Sequence, residues 1–199
     1  MRGHRSLPVV GQPQQERADA ARNRQKIVEV AARMIAERGA DDLSLDEVAR
    51  VAGVGVGTVY RRFGDRTGLI YALIDERERR FQAAFLSGPP PLGPGAPAFE
   101  RITAFLYALV DRIVDQQGLF MLLEKGAKTG KYGGPYKVHH IHLASLLAEA
   151  CPRADAAFLA DALLAPVNAC LIAYQREERG LTIDDIKSGL ARLAAAVTR

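Results

Sequence analysis

The chain has 199 residues, 48% hydrophobic and 25% charged, enough apolar content for the core of one large or two small globular domains. No run approaches the ~20 uninterrupted apolar residues of a membrane span, Leu7 to Val10 is too short for a secretion signal, and Cys151 and Cys170 show no CxxC spacing, so the expectation is a cytoplasmic protein with no membrane partner, disulfide or zinc site. The net charge of +4 is uneven, with 12 Lys and Arg against 9 Asp and Glu in residues 1–66 and 15 against 14 in the rest, a weak form of the basic footprint of a nucleic-acid-binding segment.

Residues 1–17 carry Pro8, Pro13 and several glutamines and arginines. They read as a flexible basic arm, either brushing DNA or simply solvated. From about Ala18 to Arg38, Ile27, Val30, Ala31, Met34 and Ile35 share one face of a first helix, ended by Gly39. Arg22, Arg24 and Lys26 near its start suit the DNA backbone, and suit an ordinary solvated face equally well.

Ser44 and Glu47 have the spacing of a capping box, in which the hydroxyl and the carboxylate each take an orphan N–H of the first turn. Leu45, Val48, Ala49 and Ala52 then recur at helical spacing, and Gly53 supplies the left-handed stop. A second helical pattern follows at once, with Val56, Val59, Tyr60 and Phe63. Two short helices across a tight glycine turn predict a helix-turn-helix, whose second helix enters a major groove. The alternative is a helical hairpin in a bundle. Against it stand Gly55, Gly57 and Thr58, small on the side away from Val59 and Phe63, and the cluster Tyr60, Arg61, Arg62 and Arg66, suited to phosphate.

Ala52-Gly53-Val54-Gly55-Val56-Gly57-Thr58-Val59-Tyr60-Arg61-Arg62-Phe63, followed by Gly64-Asp65-Arg66-Thr67-Gly68-Leu69, resembles the DNA-binding domain of the tetracycline-repressor (TetR) family. The resemblance covers about residues 20–75. Gly55 departs from it, standing where a serine or threonine is usual and removing a side-chain cap. Arg66 replaces a usual lysine and keeps its charge. The resemblance implies an all-α homodimeric repressor that leaves a pseudo-palindromic operator when a small molecule binds. Residues 18–66 would bind DNA, and residues 67–199 would bind the effector and the partner subunit. It places Val56, Gly57, Thr58 and Arg61 toward bases, and Ser44, Tyr60, Arg62 and Arg66 toward phosphates. An effector-independent or architectural DNA binder is the alternative.

A fourth helix is expected from Asp65 or Thr67 to about Phe85, with Leu69, Ile70, Leu73, Ile74, Phe81 and Phe85 apolar. The Pro/Gly-rich segment Ser87 to Pro97 reads as a loop, and Pro97 suits a first helical turn. Helices follow over Phe99–Gln117, Leu119–Lys125, Tyr136–Ala150, Asp155–Arg179 and Ile183–Val197, the last opened by Thr182 and Asp185. A glycine-rich stretch runs from Thr129 to Pro135, and Pro166 should kink the long Asp155–Arg179 helix. The last two of these helices would form the dimer interface by resemblance, or simply finish the monomer core.

An effector pocket between Phe99 and Arg179 would take its walls from Phe105, Leu109, Phe120, Met121, Leu143 and Phe158 and its polar anchors from Arg112, His140, Asn168 and Tyr174. Each apolar wall residue has core packing as its plainer role. His139, His140 and His142 lack the three or four convergent ligands of a metal site and read as surface or pocket histidines. No nucleophile motif or phosphate-binding glycine loop occurs, so neither catalytic residues nor a cofactor are expected.

Overall fold

The computed structural model of the chain describes residues 12–117, 119–120 and 134–198, with side chains from residue 18 onward. The arm before residue 12, Met121, the remainder of the helix expected to Lys125, and residues 129–133 lie outside that range. Among the described residues every regular element is a helix. They divide into two compact units, the chain passing from one to the other between Glu76 and Arg77.

The N-terminal unit holds α1 (Gln12–Arg38), α2 (Leu45–Ala52), α3 (Val56–Phe63) and the start of α4 (Arg66–Ser87). Residues 12–17, expected in the arm, are instead the opening turns of α1. Pro13 permits this because its missing N–H would have no intrahelical acceptor in the first turn. Ile27, Val30, Ala31 and Met34 of α1 pack on Leu45, Val48 and Ala49 of α2, Val59 of α3 and Leu69 of α4 in one core. Burying such a side chain contributes about 1.5–3 kcal/mol, so this core outweighs the weak intrinsic stability of two eight-residue helices.

Ser44 caps α2 by accepting from the Glu47 N–H. The Glu47 carboxylate does not return the favour. It takes both arms of the Arg38 guanidinium, at 3.1 and 3.0 Å, so the box closes on one side and the other side ties α2 to the end of α1. Gly53 ends α2 at φ +67°, as its place in the sequence predicts. Asp65 opens α4 by accepting from the Gly68 N–H at 2.8 Å.

The C-terminal unit contains the rest of α4, then α5 (Ala98–Asp115), α6 (Gly134–Ala150), α7 (Ala156–Leu164), α8 (Ala169–Glu177) and α9 (Ile183–Val197). Pro97 is the N-cap of α5 rather than part of its first turn, and α6 starts at Gly134 inside the expected glycine-rich loop. The long helix expected over Asp155–Arg179 is two helices, α7 and α8, bent by 47° at their break. Pro166 sits in that break, where its lost N–H and its ring stop α7, and Asn168 starts α8 by accepting from the Leu171 N–H at 2.8 Å. Thr182 and Asp185 complete a full capping box on α9. No single helix among the described residues is long and apolar enough to cross a membrane.

Candidate nucleic-acid interface

Helix α3 is amphipathic in an unusual way: its inner side is large and its outer side is nearly bare. Val59 is fully buried and anchors the helix, whereas Val56, Tyr60, Arg61 and Arg62 are exposed, Val56 by 43% and Tyr60 by 47%. The two members of the expected apolar stripe that face outward are therefore Val56 and Tyr60. The helix begins at Gly55 in extended backbone with no side-chain cap; the Gly55 carbonyl takes the Thr58 N–H at 2.8 Å, and no side chain of the cap residue reaches the first turn. A Cβ added at Gly57 would meet nothing within 4 Å, and one at Gly55 only Thr58 Oγ1 at 3.8 Å. The protein's own packing thus requires neither glycine. An open helix N-terminus with small residues admits another molecule's backbone closely, and the positive end of the helix dipole there favours an anion.

The cations around α3 are partly committed within the protein. Arg62 donates from Nη1 to the Ala20 carbonyl of α1, and Arg66 donates to the Asp41 carbonyl with the Asp41 carboxylate 3.9 Å away. Both remain exposed. Arg24 pairs with Glu76 at 3.4 Å, and Arg22 pairs with Asp19. Exposed Arg61 and half-buried Thr58 line a groove of about 430 Å³ together with Arg62 and with Asp19, Ala20 and Asn23 of α1. Sequence reasoning did not single out Asp19 or Asn23, because only the packing of α1 on α3 brings them alongside. Ser44 is exposed at the start of α2.

The residues proposed for an effector pocket are scattered among several roles. Phe105 and Leu143 are completely buried and Leu109 nearly so, all in the core with Phe81 and Phe85. Asn168 is the α8 cap. His140 fastens α6 to α7, with Nε2 at 3.1 Å from the Ala157 carbonyl and 3.4 Å from Asp161. Tyr174 and Phe158 point outward, exposed by 47% and 67%. Apart from those three core residues, Arg112 and Phe120 adjoin, the guanidinium carbon 5.4 Å from the ring centroid. An open groove of about 660 Å³ lies elsewhere in this unit, lined by Asp111, Arg176, Leu181, Thr182 and Lys187 among others.

What the sequence reading missed is a buried polar cluster. Glu78 of α4, 5% exposed, accepts from His139 Nε2 at 2.9 Å, from Gln82 at 2.8 Å and from Arg112. Burial alone would raise its pKa, but the hydrogen bond and charge of His139, then the charge of Arg112, bring it down to about 2. His142 lies one turn along α6 against Phe85 and Phe105, ring centroids 4.3 and 4.9 Å away. Burial, then the charges of Arg101 and His139, push its pKa down to about 4. His139 and His142 are thus core residues rather than surface ones. The signal existed: Ile74, Glu78, Phe81 and Phe85 share one helical face, which places a carboxylate where only a satisfied one is tolerated.

Known proteins are similar to this chain in sequence and in fold. Residues 27–73 match the family model described as "Bacterial regulatory proteins, tetR family". An HTH-type transcriptional regulator of Staphylococcus aureus (strain USA300) is 26% identical over 178 residues, 89% of this chain and 95% of the relative. A TetR-family transcriptional regulator from Rhodococcus sp. has the same fold, with a TM-score of 0.68 at 23% identity over 90% of this chain and 100% of that one. So has a transcriptional regulator from Saccharomonospora viridis solved in complex with choline, with a TM-score of 0.66 at 18% identity over 88% and 96% of the two chains.

Proposed function

We propose that this chain, a transcriptional regulator that belongs to the tetR family of bacterial regulatory proteins, is a repressor that grips its operator through α3 and releases it when a small molecule binds the C-terminal unit. One observation carries the DNA contact. The outer face of α3 combines glycines that nothing in the protein needs with exposed Arg61, Tyr60 and Val56. Thr58 and Arg61 are assigned to base edges, since they share the groove beside α1 and arginine is the commonest specific partner of guanine. Val56 and Gly57 allow the close approach. Ser44, Tyr60, Arg62 and Arg66 are assigned to phosphates and fix register.

A single α3 reads only a half-site, so a homodimer through the C-terminal helices is assigned, its two reading heads about 34 Å apart on a pseudo-palindrome. That the Saccharomonospora viridis neighbour was solved in complex with choline supports a small-molecule ligand, and the C-terminal unit is assigned to hold it. Effector and DNA would be coupled by about 1–3 kcal/mol, and reciprocity requires each to weaken the other equally.

The test is selection of bound genomic fragments with the purified protein, followed by titrations at fixed salt with wild type and Thr58→Ala. One pseudo-palindromic site should be preferred over random duplex by at least about a thousandfold, and Thr58→Ala should change the ranking of operator variants. Equal binding to all duplexes would leave an architectural DNA binder and sink the repressor reading.

A further inference from the structure

The C-terminal end of α5 concentrates unmet hydrogen-bonding capacity. Five buried side-chain polar atoms among the described residues have no partner, and three of them are Arg112 Nε, Gln116 Oε1 and Gln175 Oε1. Arg112 and Gln116 stand one turn apart on α5. Gln175 precedes Arg176 on α8, which in turn donates to Gln117 at 3.3 Å, so the ends of the two helices adjoin.

Arg112 is held very firmly for a residue with an idle edge. Its Nη1 donates to Glu78, which His139 and Gln82 hold from their own sides. Rings of Phe81 and Phe120 lie 5.3 and 5.4 Å from its guanidinium carbon. Phe120 in turn packs on the apolar cluster of Val110, Ile113, Ala169 and Ile172. Glu78 uses one arm of the fork, and the Nε side stays unmatched. That edge of a guanidinium fits the two oxygens of a carboxylate in parallel.

We propose that the Nε edge of Arg112 is the receptor for the carboxylate of an effector whose remainder is hydrocarbon, laid against Phe120 and its apolar cluster. This rests on the effector-responsive reading above and names its ligand class. Glu78 already balances the charge of Arg112, so a second cation must balance an incoming anion. Arg77 provides it: half-buried beside Arg112, its pKa is lowered first by burial and then by the Arg112 charge, with Asp115 acting the other way and Arg80 adding to the repulsion, so the cationic side prevails and an anion between the two guanidiniums would offset it. Because Glu78 lies on α4 and shares the guanidinium, occupancy of Arg112 is felt directly by α4.

The experiment titrates the full-length protein by calorimetry with straight-chain carboxylates of four to twelve carbons, the matching alcohols and the matching alkyltrimethylammonium salts. The carboxylates should bind at least about tenfold tighter than the alcohols, since a charged hydrogen-bonded pair is worth about 1.5–3 kcal/mol, and tighter still than the ammonium salts. Arg112→Lys keeps the charge without the fork and should remove that preference. Arg77→Gln, at a half-buried site, should fold normally and weaken the carboxylates severalfold while leaving the alcohols alone. Equal binding of acids and alcohols, a preference for the ammonium salts, no binding by any series, or an unchanged preference in both variants would overturn the proposal. Operator binding without added probe is measured separately. If the duplex is bound and the acids are not, only the ligand class falls; if the acids bind and no duplex does, only the DNA reading falls.

Discussion

Gly57 stands inside a helix with nothing nearby to make room for. Glycine within a helix costs about 1 kcal/mol relative to alanine, so its presence in α3 has to be explained by something outside the folded chain. Gly57→Ala should therefore raise the melting temperature of the N-terminal unit and lower operator affinity at the same time. Calorimetry and a salt-controlled binding titration check the two halves, and unchanged affinity would mean the duplex does not come that close. His142 gives the opposite kind of residue-scale argument, since it is buried and aromatic contacts surround it. Its folded pKa of about 4 lies below the ordinary 6.5, so it binds its proton more readily unfolded. Its contribution is complete above pH 6.5 and is lost as pH falls toward 4. Between pH 7 and pH 5 that amounts to about 2 kcal/mol. Denaturant titrations at the two pH values should show the loss in wild type and a smaller one in His142→Phe.

At the scale of elements, the glycines differ from one another. Gly68 has an ordinary negative φ, yet a Cβ there would lie 1.9 Å from the Phe63 carbonyl oxygen, where α3 ends against the first turn of α4. Gly68→Ala must push the two helices apart, and a loss of several degrees in melting temperature is expected, by the logic of overpacking. A circular-dichroism melt decides it, and an unchanged midpoint would show that the junction yields easily. Much of this level was legible beforehand. Ser44, Gly53, Thr182 and Asp185 announced their helix ends because capping is decided within four residues. Glu47 did not, since its choice between the Ser44 N–H and Arg38 depends on where α1 ends in space. Pro166 announced a disturbance, and the neighbouring Asn168 cap turned a kink into a break.

For the whole molecule, the proposed dimer sets the spacing of the two reading heads, so its interface governs operator binding. Phe158 on α7 is 67% exposed, Tyr174 on α8 47% and Leu193 on α9 40%. Solvated aromatic and aliphatic groups on the helices expected to pair are natural candidates for its contacts. Phe158→Asp should shift sedimentation toward monomer and weaken binding to the full operator far more than to a half-site. A variant that stays dimeric would take α7 out of the interface. Such a variant leaves the internal core untouched, because Phe105, Leu143 and Leu163 are buried elsewhere.

The order of helices, their caps and the helix-turn-helix were set by the sequence by itself, because helical periodicity and capping act over a few residues. The same local information, through a motif of nearly continuous resemblance, points to the face bearing Thr58 and Arg61 as the one proposed to read DNA. Tertiary structure alone decided which charges are spoken for. Arg62 and Arg66, assigned to phosphates, also donate to carbonyls of α1 and of the loop before α2 while staying exposed, and Arg112, Glu78 and His139 meet from three helices far apart in the chain. Long-range partners of polar groups depend on how helices cross, and no spacing along one helix encodes that.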